Sequence, residues 1–137
     1  MKILLAEDDF VTRKFMASFL SKYGECDVTV DGMEAVDAFM LALEEGEPYD
    51  LVCLDIMMPV MDGITAAGKI RSSGRPDSAD IPIIAMTANA FAEDAKKCME
   101  AGMNANLAKP LDVKKLMSTI ARLSASSSGS VKTDENN

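Results

Sequence analysis

Residues 51–55 read Leu-Val-Cys-Leu-Asp: four consecutive apolar side chains followed by an aspartate. A strand of this kind, which does not alternate apolar with polar residues, is typical of a parallel sheet covered on both faces. Similar apolar runs precede Glu7, Thr87 and Lys109. Apolar residues at helical spacing follow these runs, as at Val113, Leu116, Met117, Ile120 and Leu123. The stretch at 51–55 and its counterparts therefore predict an α/β fold.

Five strand–helix pairs are predicted along the chain. Strands are expected at residues 2–6, 26–30, 51–54, 81–86 and 106–108, and helices at 11–23, 35–43, 62–71, 91–101 and 113–123. Five pairs are too few for an eight-stranded barrel, so the pattern favours an open, doubly wound parallel sheet. Residues 124–137 are rich in Ser, Gly and Asn. We therefore expect a folded domain over residues 1–123 and a disordered tail over residues 124–137.

Composition excludes several classes of function. The 137 residues carry a net charge of −8, which disfavours binding to nucleic acid. No apolar stretch approaches the roughly 18 residues of a membrane span, so no membrane insertion is expected. The chain has no histidine, which excludes His-based metal sites and Ser-His or Cys-His catalysis. Its three cysteines are odd in number and far apart, which indicates reduced thiols and a cytoplasmic protein.

The polar residues after the predicted strands suggest chemistry on phosphate. Parallel strands end at one edge of a sheet, so Glu7, Asp8 and Asp55 are expected to meet there. Carboxylates this close disfavour joint ionisation, and a hard cation such as Mg²⁺ relieves the conflict. A carboxylate also serves as a nucleophile toward phosphorus, with Lys109 and Thr87 available to contact phosphoryl oxygens. The simpler alternative is that these acids only cap helices, which is the role expected of Asp9.

Four motifs at these strand ends resemble the receiver domain of two-component response regulators. They are Ala6-Glu7-Asp8-Asp9, residues 54–63 (LDIMMPVMDG), Met86-Thr87-Ala88 and Leu107-Ala108-Lys109-Pro110. Each motif is weak alone, but all four in this order are specific, and the resemblance covers about residues 2–123. It implies a flavodoxin-like (βα)5 fold with a five-stranded parallel sheet in the order 2-1-3-4-5.

The resemblance also implies an activity. Asp55 would accept a phosphoryl group from a phosphohistidine on a histidine kinase or a histidine phosphotransfer protein. Mg²⁺ would be held by Glu7, Asp8, Asp55 and the backbone carbonyl of Met57. Such a domain is a signalling switch that catalyses its own phosphorylation, and in some members its own dephosphorylation.

Further roles follow from the same resemblance. Lys109 would pair with Asp55 or with the phosphoryl group, and a cis peptide bond would precede Pro110. Thr87, followed by Ala88, would contact the phosphate and act as the switch. A downstream protein partner would then read the surface formed by the fourth helix, the fifth strand and the fifth helix.

The chain departs from the family pattern in the residues around the switch. Asn106 stands three residues before Lys109, where the family often has an aromatic residue. The resemblance therefore does not extend to the switch in which that aromatic ring turns inward. Met57 and Asn89 occupy the variable positions that tune dephosphorylation in this family. Asn89 offers a hydrogen bond to an attacking water, whereas Met57 does not.

Alternatives remain open at this stage. Residues 85–105 look more like the receivers of hybrid kinases, whereas the Met1 start favours a free-standing regulator. A phosphatase of the haloacid-dehalogenase type needs a second aspartate two residues after its nucleophile, and Met57 occupies that position. A module that works without phosphorylation would lack part of the acidic set, which this chain has in full.

Overall fold

The computed structural model describes residues 1–75, 78, 80–88, 92–109 and 111–127, without the side chains of residues 92–94 and 124–127. Within these residues five strands alternate with five helices. The strands are β1 (Lys2–Ala6), β2 (Glu25–Thr29), β3 (Leu51–Asp55), β4 (Ile83–Thr87) and β5 (Ala105–Ala108). The helices are α1 (Phe10–Leu20), α2 (Gly32–Glu44), α3 (Gly63–Arg71), α4 (Ala92–Glu100) and α5 (Val113–Ser127).

The five strands form one parallel sheet in the order β2-β1-β3-β4-β5, which confirms the predicted flavodoxin-like fold. Leu54 of β3 is in register with Ala6 of β1 and with Ala85 of β4. Thr87 of β4 is in register with Ala108 of β5. The strands therefore end at nearly the same level, and the residues that follow them emerge at one edge of the sheet.

Two apolar layers cover the sheet, one on each face. Val52 and Leu54 of β3 belong to the layer that α2, α3 and α4 complete. Leu51 and Cys53 belong to the opposite layer, which α1 and α5 complete. Because both faces of β3 are buried, every residue of the strand before Asp55 is apolar. Cys53 and Cys98 are buried, Cys26 is half-buried, and all three thiols are free, as predicted.

Aspartates begin three of the helices. The side chains of Asp9, Asp31 and Asp62 accept backbone N–H groups in the first turns of α1, α2 and α3. Each satisfies a donor that the helix itself leaves unpaired. The cap role expected of Asp9 is confirmed. Among the described helices, none is both long enough and apolar enough to cross a membrane.

The first helix differs from its prediction in length and in exposure. It ends at Leu20 because the N–H groups of Lys22 and Tyr23 bond three residues back, which tightens the chain into a turn. Of the predicted apolar stripe, Met16 and Leu20 are buried, but Val11 is 73% exposed and Phe15 is 46% exposed. The helical spacing of apolar residues therefore does not show how many of them the sheet buries.

The last helix continues beyond its predicted end. α5 runs to Ser127, four residues past the predicted end of the helix at residue 123. The disordered tail remains a prediction. Serine and alanine are compatible with a helix, and the first glycine after residue 123 stands at position 129. Residues 128–137 of the expected tail lie outside the described residues. The remaining bounds agree with prediction within about three residues.

Candidate functional site

Three carboxylates meet at the carboxyl edge of the sheet. Oxygen atoms of Glu7, Asp8 and Asp55 all lie within 4.8 Å of one another. Glu7 and Asp8 follow β1, and Asp55 is the last residue of the adjacent strand β3. Glu7 and Asp55 are buried, whereas Asp8 is exposed. The fold therefore places side chains that are 47 positions apart in sequence around one point open to solvent.

Lys109 lies between the two buried carboxylates. Its Nζ is 2.7 Å from Oε1 of Glu7 and 3.2 Å from Oδ2 of Asp55. The predicted pairing with Asp55 is therefore present, but the shorter contact is with Glu7. The other oxygen of Glu7 accepts the backbone N–H of Asp9 at 3.0 Å. Both oxygens of Glu7 are thus already engaged by the protein.

The electrostatics of the site favour added positive charge. Burial raises the pKa of Asp55 to about 7, helped by the hydrogen bond to Glu7 and by its negative charge, while Lys109 acts in the opposite direction. Burial lowers the pKa of Lys109, but the contacts with Glu7 and Asp55 outweigh it, so the pKa rises. One lysine therefore does not fully offset the clustered carboxylates. A divalent cation with oxygen ligands fits this donor set.

Thr87 ends β4 at the same edge and is buried. Its backbone carbonyl accepts the N–H of Lys109 at 2.7 Å, which ties the end of β5 to the end of β4. Ala88 follows it and is exposed. The switching role of Thr87 and Ala88 remains a prediction. Asn89 and Pro110, and with Pro110 the predicted cis peptide bond, lie outside the described residues.

Met57 and Asn106 occupy the other predicted positions. The backbone N–H of Met57 donates to Oδ1 of Asp55 at 3.3 Å, and its side chain is 72% exposed. The role of its carbonyl as a metal ligand remains a prediction. Asn106 is in register with Ala85 of β4 and is half-buried. Its Oδ1 is buried and has no hydrogen-bond partner among the described residues.

Gly63 positions the loop after Asp55, a role that the sequence analysis did not assign to it. Its N–H donates to the carbonyl of Ile56 at 2.9 Å. A Cβ atom at this position would overlap the backbone carbonyl of Asp55. Only glycine allows α3 to begin this close to the end of β3. The sequence signal was the Asp62-Gly63 pair at the predicted start of the third helix.

Val60 holds a strained turn in the same loop. Its φ is +67°, and the N–H of Met61 bonds to the carbonyl of Pro59 at 2.7 Å. This is a γ-turn with positive φ at its centre, the rarer and more strained form. A β-branched residue is unfavourable in that conformation, whereas asparagine tolerates it. The Val60 side chain is 79% exposed, so the turn gains little packing from it.

Val60→Asn is therefore expected to stabilise the protein by about 1 kcal/mol. Chemical denaturation of the metal-free protein measures this as a change in midpoint at constant slope. Val11→Asn is the matched control, since Val11 is 73% exposed but lies in α1, and it is expected to change stability little. An unchanged or lower midpoint for Val60→Asn would contradict the strain assigned to this turn.

Comparison with known proteins identifies the family. The response regulator receiver domain matches residues 3–121. Histidine kinase 1 of Arabidopsis thaliana is 35% identical over 152 residues, which covers 90% of this chain and 13% of that protein. The transcription factor SKN7 of Saccharomyces cerevisiae is 41% identical over 122 residues, which covers 88% of this chain and 18% of that protein. The chain thus spans less than a fifth of either relative.

Solved structures agree with this match. The receiver domain of sensor histidine kinase PA1611 from Pseudomonas aeruginosa PAO1 is 34% identical with a TM-score of 0.77, covering 90% of this chain and 96% of that one. That structure has a magnesium ion coordinated in the active-site cleft. A chain of the CheX-CheY-BeF3-Mg complex from Borrelia burgdorferi is 27% identical with a TM-score of 0.78. The match covers 90% of this chain and 88% of that one. The strand order, the residues at the carboxyl edge of the sheet and the sequence match agree. The chain belongs to the response regulator receiver domain family.

Proposed function

We propose that Asp55 accepts a phosphoryl group from a phosphohistidine on a partner protein. An oxygen of Asp55 forms the new P–O bond as the P–N bond of the donor breaks, and the released imidazole takes up a proton. The observation that carries this proposal is the position of Asp55, a buried carboxylate 3.2 Å from Lys109 and grouped with Glu7 and Asp8 at a solvent-accessible edge. Phosphoryl transfer needs in-line positioning and charge neutralisation. Lys109 offers part of the positive charge, and a divalent cation held by the carboxylates would offer the rest.

Glu7, Asp8, Asp55 and the backbone carbonyl of Met57 are the proposed holders of Mg²⁺. Bound there, the ion would neutralise charge on the phosphoryl oxygens. Each oxygen of Glu7 and of Asp55 already has a protein partner, so these two carboxylates would hold the ion through a remaining lone pair or through a water. Asp8 is exposed and would be open to direct contact with the ion. Lys109 would then contact a phosphoryl oxygen, with the hydroxyl of Thr87 as a second donor.

The donor is proposed to be a histidine kinase or a histidine phosphotransfer protein. The chain has no histidine of its own, and its relatives include histidine kinases. An exposed apolar face on α1 begins next to the acidic residues and supports protein docking there: Phe10 is 61% exposed and Val11 is 73% exposed. A groove of about 530 Å³ beside them is also lined by Lys22. A donor with an apolar surface edged by acidic groups fits this face.

The output is proposed to pass through a second protein. Contact between Thr87 and the phosphoryl group would shift the domain between two conformations and change the α4–β5–α5 surface for a downstream partner. Asn106 leaves this chain without the aromatic residue often found at its position, so the change would rely on Thr87 and the segment after β4. The domain is thus a switch that catalyses its own phosphorylation and, in this proposal, its dephosphorylation. Its free thiols support a cytoplasmic location.

The test uses phosphoramidate, a small donor with a P–N bond, together with Mg²⁺. Intact-mass spectrometry of the wild type is expected to show the mass of one added phosphoryl group, which chelation of Mg²⁺ prevents. Asp55→Asn is expected to show none, while Asp62→Asn, an exposed helix cap in the following loop, is expected to behave as the wild type. No adduct on the wild type with several donors, or equal labelling of Asp55→Asn, would overturn the proposal.

A further inference from the structure

Arg13 reaches back from the first turns of α1 to the acidic loop, defined as residues 7–9. Its Nη1 donates to the backbone carbonyls of Glu7 at 3.0 Å and Asp8 at 3.1 Å. Its backbone N–H donates to the carbonyl of Asp9 at 2.8 Å. One residue therefore binds three successive carbonyls of the acidic loop. Neither the spacing of the sequence nor the family motifs assigned Arg13 any role.

These contacts fix the backbone from which two carboxylates of the site project. The orientation of each peptide unit sets the direction of the neighbouring side chains, so holding the carbonyls of residues 7 and 8 holds Glu7 and Asp8. Glu7 has further anchors, namely Lys109 and the N–H of Asp9. Asp8 is exposed, and its orientation depends most on its backbone. The guanidinium is itself placed over the ring of Phe10, with Cζ 5.6 Å from the ring centre.

We infer that Arg13 is a positioning residue for the divalent-cation site: it acts on the backbone of Glu7 and Asp8 rather than by contact with the ion. This inference rests on the proposed function. Groups that hold metal ligands in place often contribute tenfold or more to affinity. The charge of Arg13 has the opposite effect, because a nearby positive charge repels a cation. Positioning and charge therefore predict changes of opposite sign when Arg13 is replaced.

Titration calorimetry with Mg²⁺ on the full chain separates the two effects. Arg13→Met removes the donors and the charge, and about tenfold weaker binding is expected from lost positioning. Arg13→Lys keeps the charge, so any weakening reports the lost guanidinium geometry, and a smaller loss is expected. Lys14→Met is the matched control: Lys14 also lies over Phe10, with Nζ 5.5 Å from the ring centre, but in the described part of the chain it donates no hydrogen bond to the acidic loop. Its Mg²⁺ affinity is expected to stay unchanged or to tighten.

Amide hydrogen exchange of the metal-free protein provides a readout that does not depend on Mg²⁺. Faster exchange at Asp9 is expected in Arg13→Met, with a cooperative melting transition retained. Unchanged or tighter Mg²⁺ binding by Arg13→Met would overturn the inference. If that variant does not fold, Arg13→Lys decides, since an affinity equal to that of the wild type overturns the inference and a weaker one supports it. A wild type that binds no Mg²⁺ would instead overturn the proposed function itself.

Discussion

Lys109→Met is expected to slow the phosphorylation of Asp55 by about 100-fold and at the same time to tighten the binding of Mg²⁺. The ammonium lies 2.7 Å from Glu7 and 3.2 Å from Asp55. Its removal makes the net charge of the site more negative, which favours the binding of a divalent cation. The same removal takes away a positive group near the oxygens that gain charge in phosphoryl transfer. Opposite changes in affinity and rate are therefore expected from one substitution.

Titration calorimetry measures the affinity for Mg²⁺, and mass spectrometry over time measures the rate with phosphoramidate. Lys69→Met, which replaces an exposed lysine of α3, is the charge-matched control and is expected to change neither quantity. Because buried Glu7 loses its counter-charge, metal-free Lys109→Met should melt lower than the wild type, and Mg²⁺ should restore much of the difference. A wild-type rate, or weaker Mg²⁺ binding, would contradict the role assigned to Lys109.

Asp55→Asn is expected to stabilise the metal-free protein at high pH. The pKa of Asp55 rises from an ordinary value of 3.8 to about 7, chiefly through burial and then through Glu7. Because the folded state binds this proton more tightly than the unfolded state, the group favours folding at low pH. That contribution is lost as the pH rises from about 4 to about 7. An asparagine has no such proton and no charge to conflict with Glu7, so its advantage over the wild type grows across the same window.

Thermal melting of both proteins in chelator, at several pH values, measures this difference. The variant should melt several degrees higher above about pH 8, and the gap should close toward about pH 4. Mg²⁺ should reverse the order at high pH, since it stabilises the wild type through a carboxylate that the variant lacks. A difference in melting temperature that stays constant across this pH window, or a less stable variant at high pH, would show that the folded protein does not raise the pKa of Asp55.

The sheet and its functional edge could be predicted because they depend on local patterns. Apolar runs such as residues 51–54 identify strands buried on both faces, and parallel strands bring their ends together. The four motifs added the strand order, which the structure confirms. The cap at Asp9 was equally local, since a side chain that bonds three residues ahead needs no tertiary contact.

What escaped prediction depends on distances between parts of the chain. The closer approach of Lys109 to Glu7 than to Asp55 is set by the packing of three strands. Arg13 looked like an ordinary polar residue of an amphipathic helix because its partners are carbonyls, which every residue has. The exposure of Phe15 depends on how much of α1 the sheet covers. The positive φ of Val60 could not be predicted, because valine normally avoids this conformation and nothing in the sequence indicates it.

Three carboxylates within 4.8 Å of one another leave one question that the total mass of the adduct does not answer, namely which of them is phosphorylated. Reduction of the phosphorylated wild type with borohydride converts an acyl phosphate to the corresponding alcohol, and peptide mass spectrometry then locates it. Our account predicts homoserine at position 55, formed only when Mg²⁺ was present. Reduction at Glu7 or Asp8, or no reduced residue in a protein that carries phosphate, would contradict it.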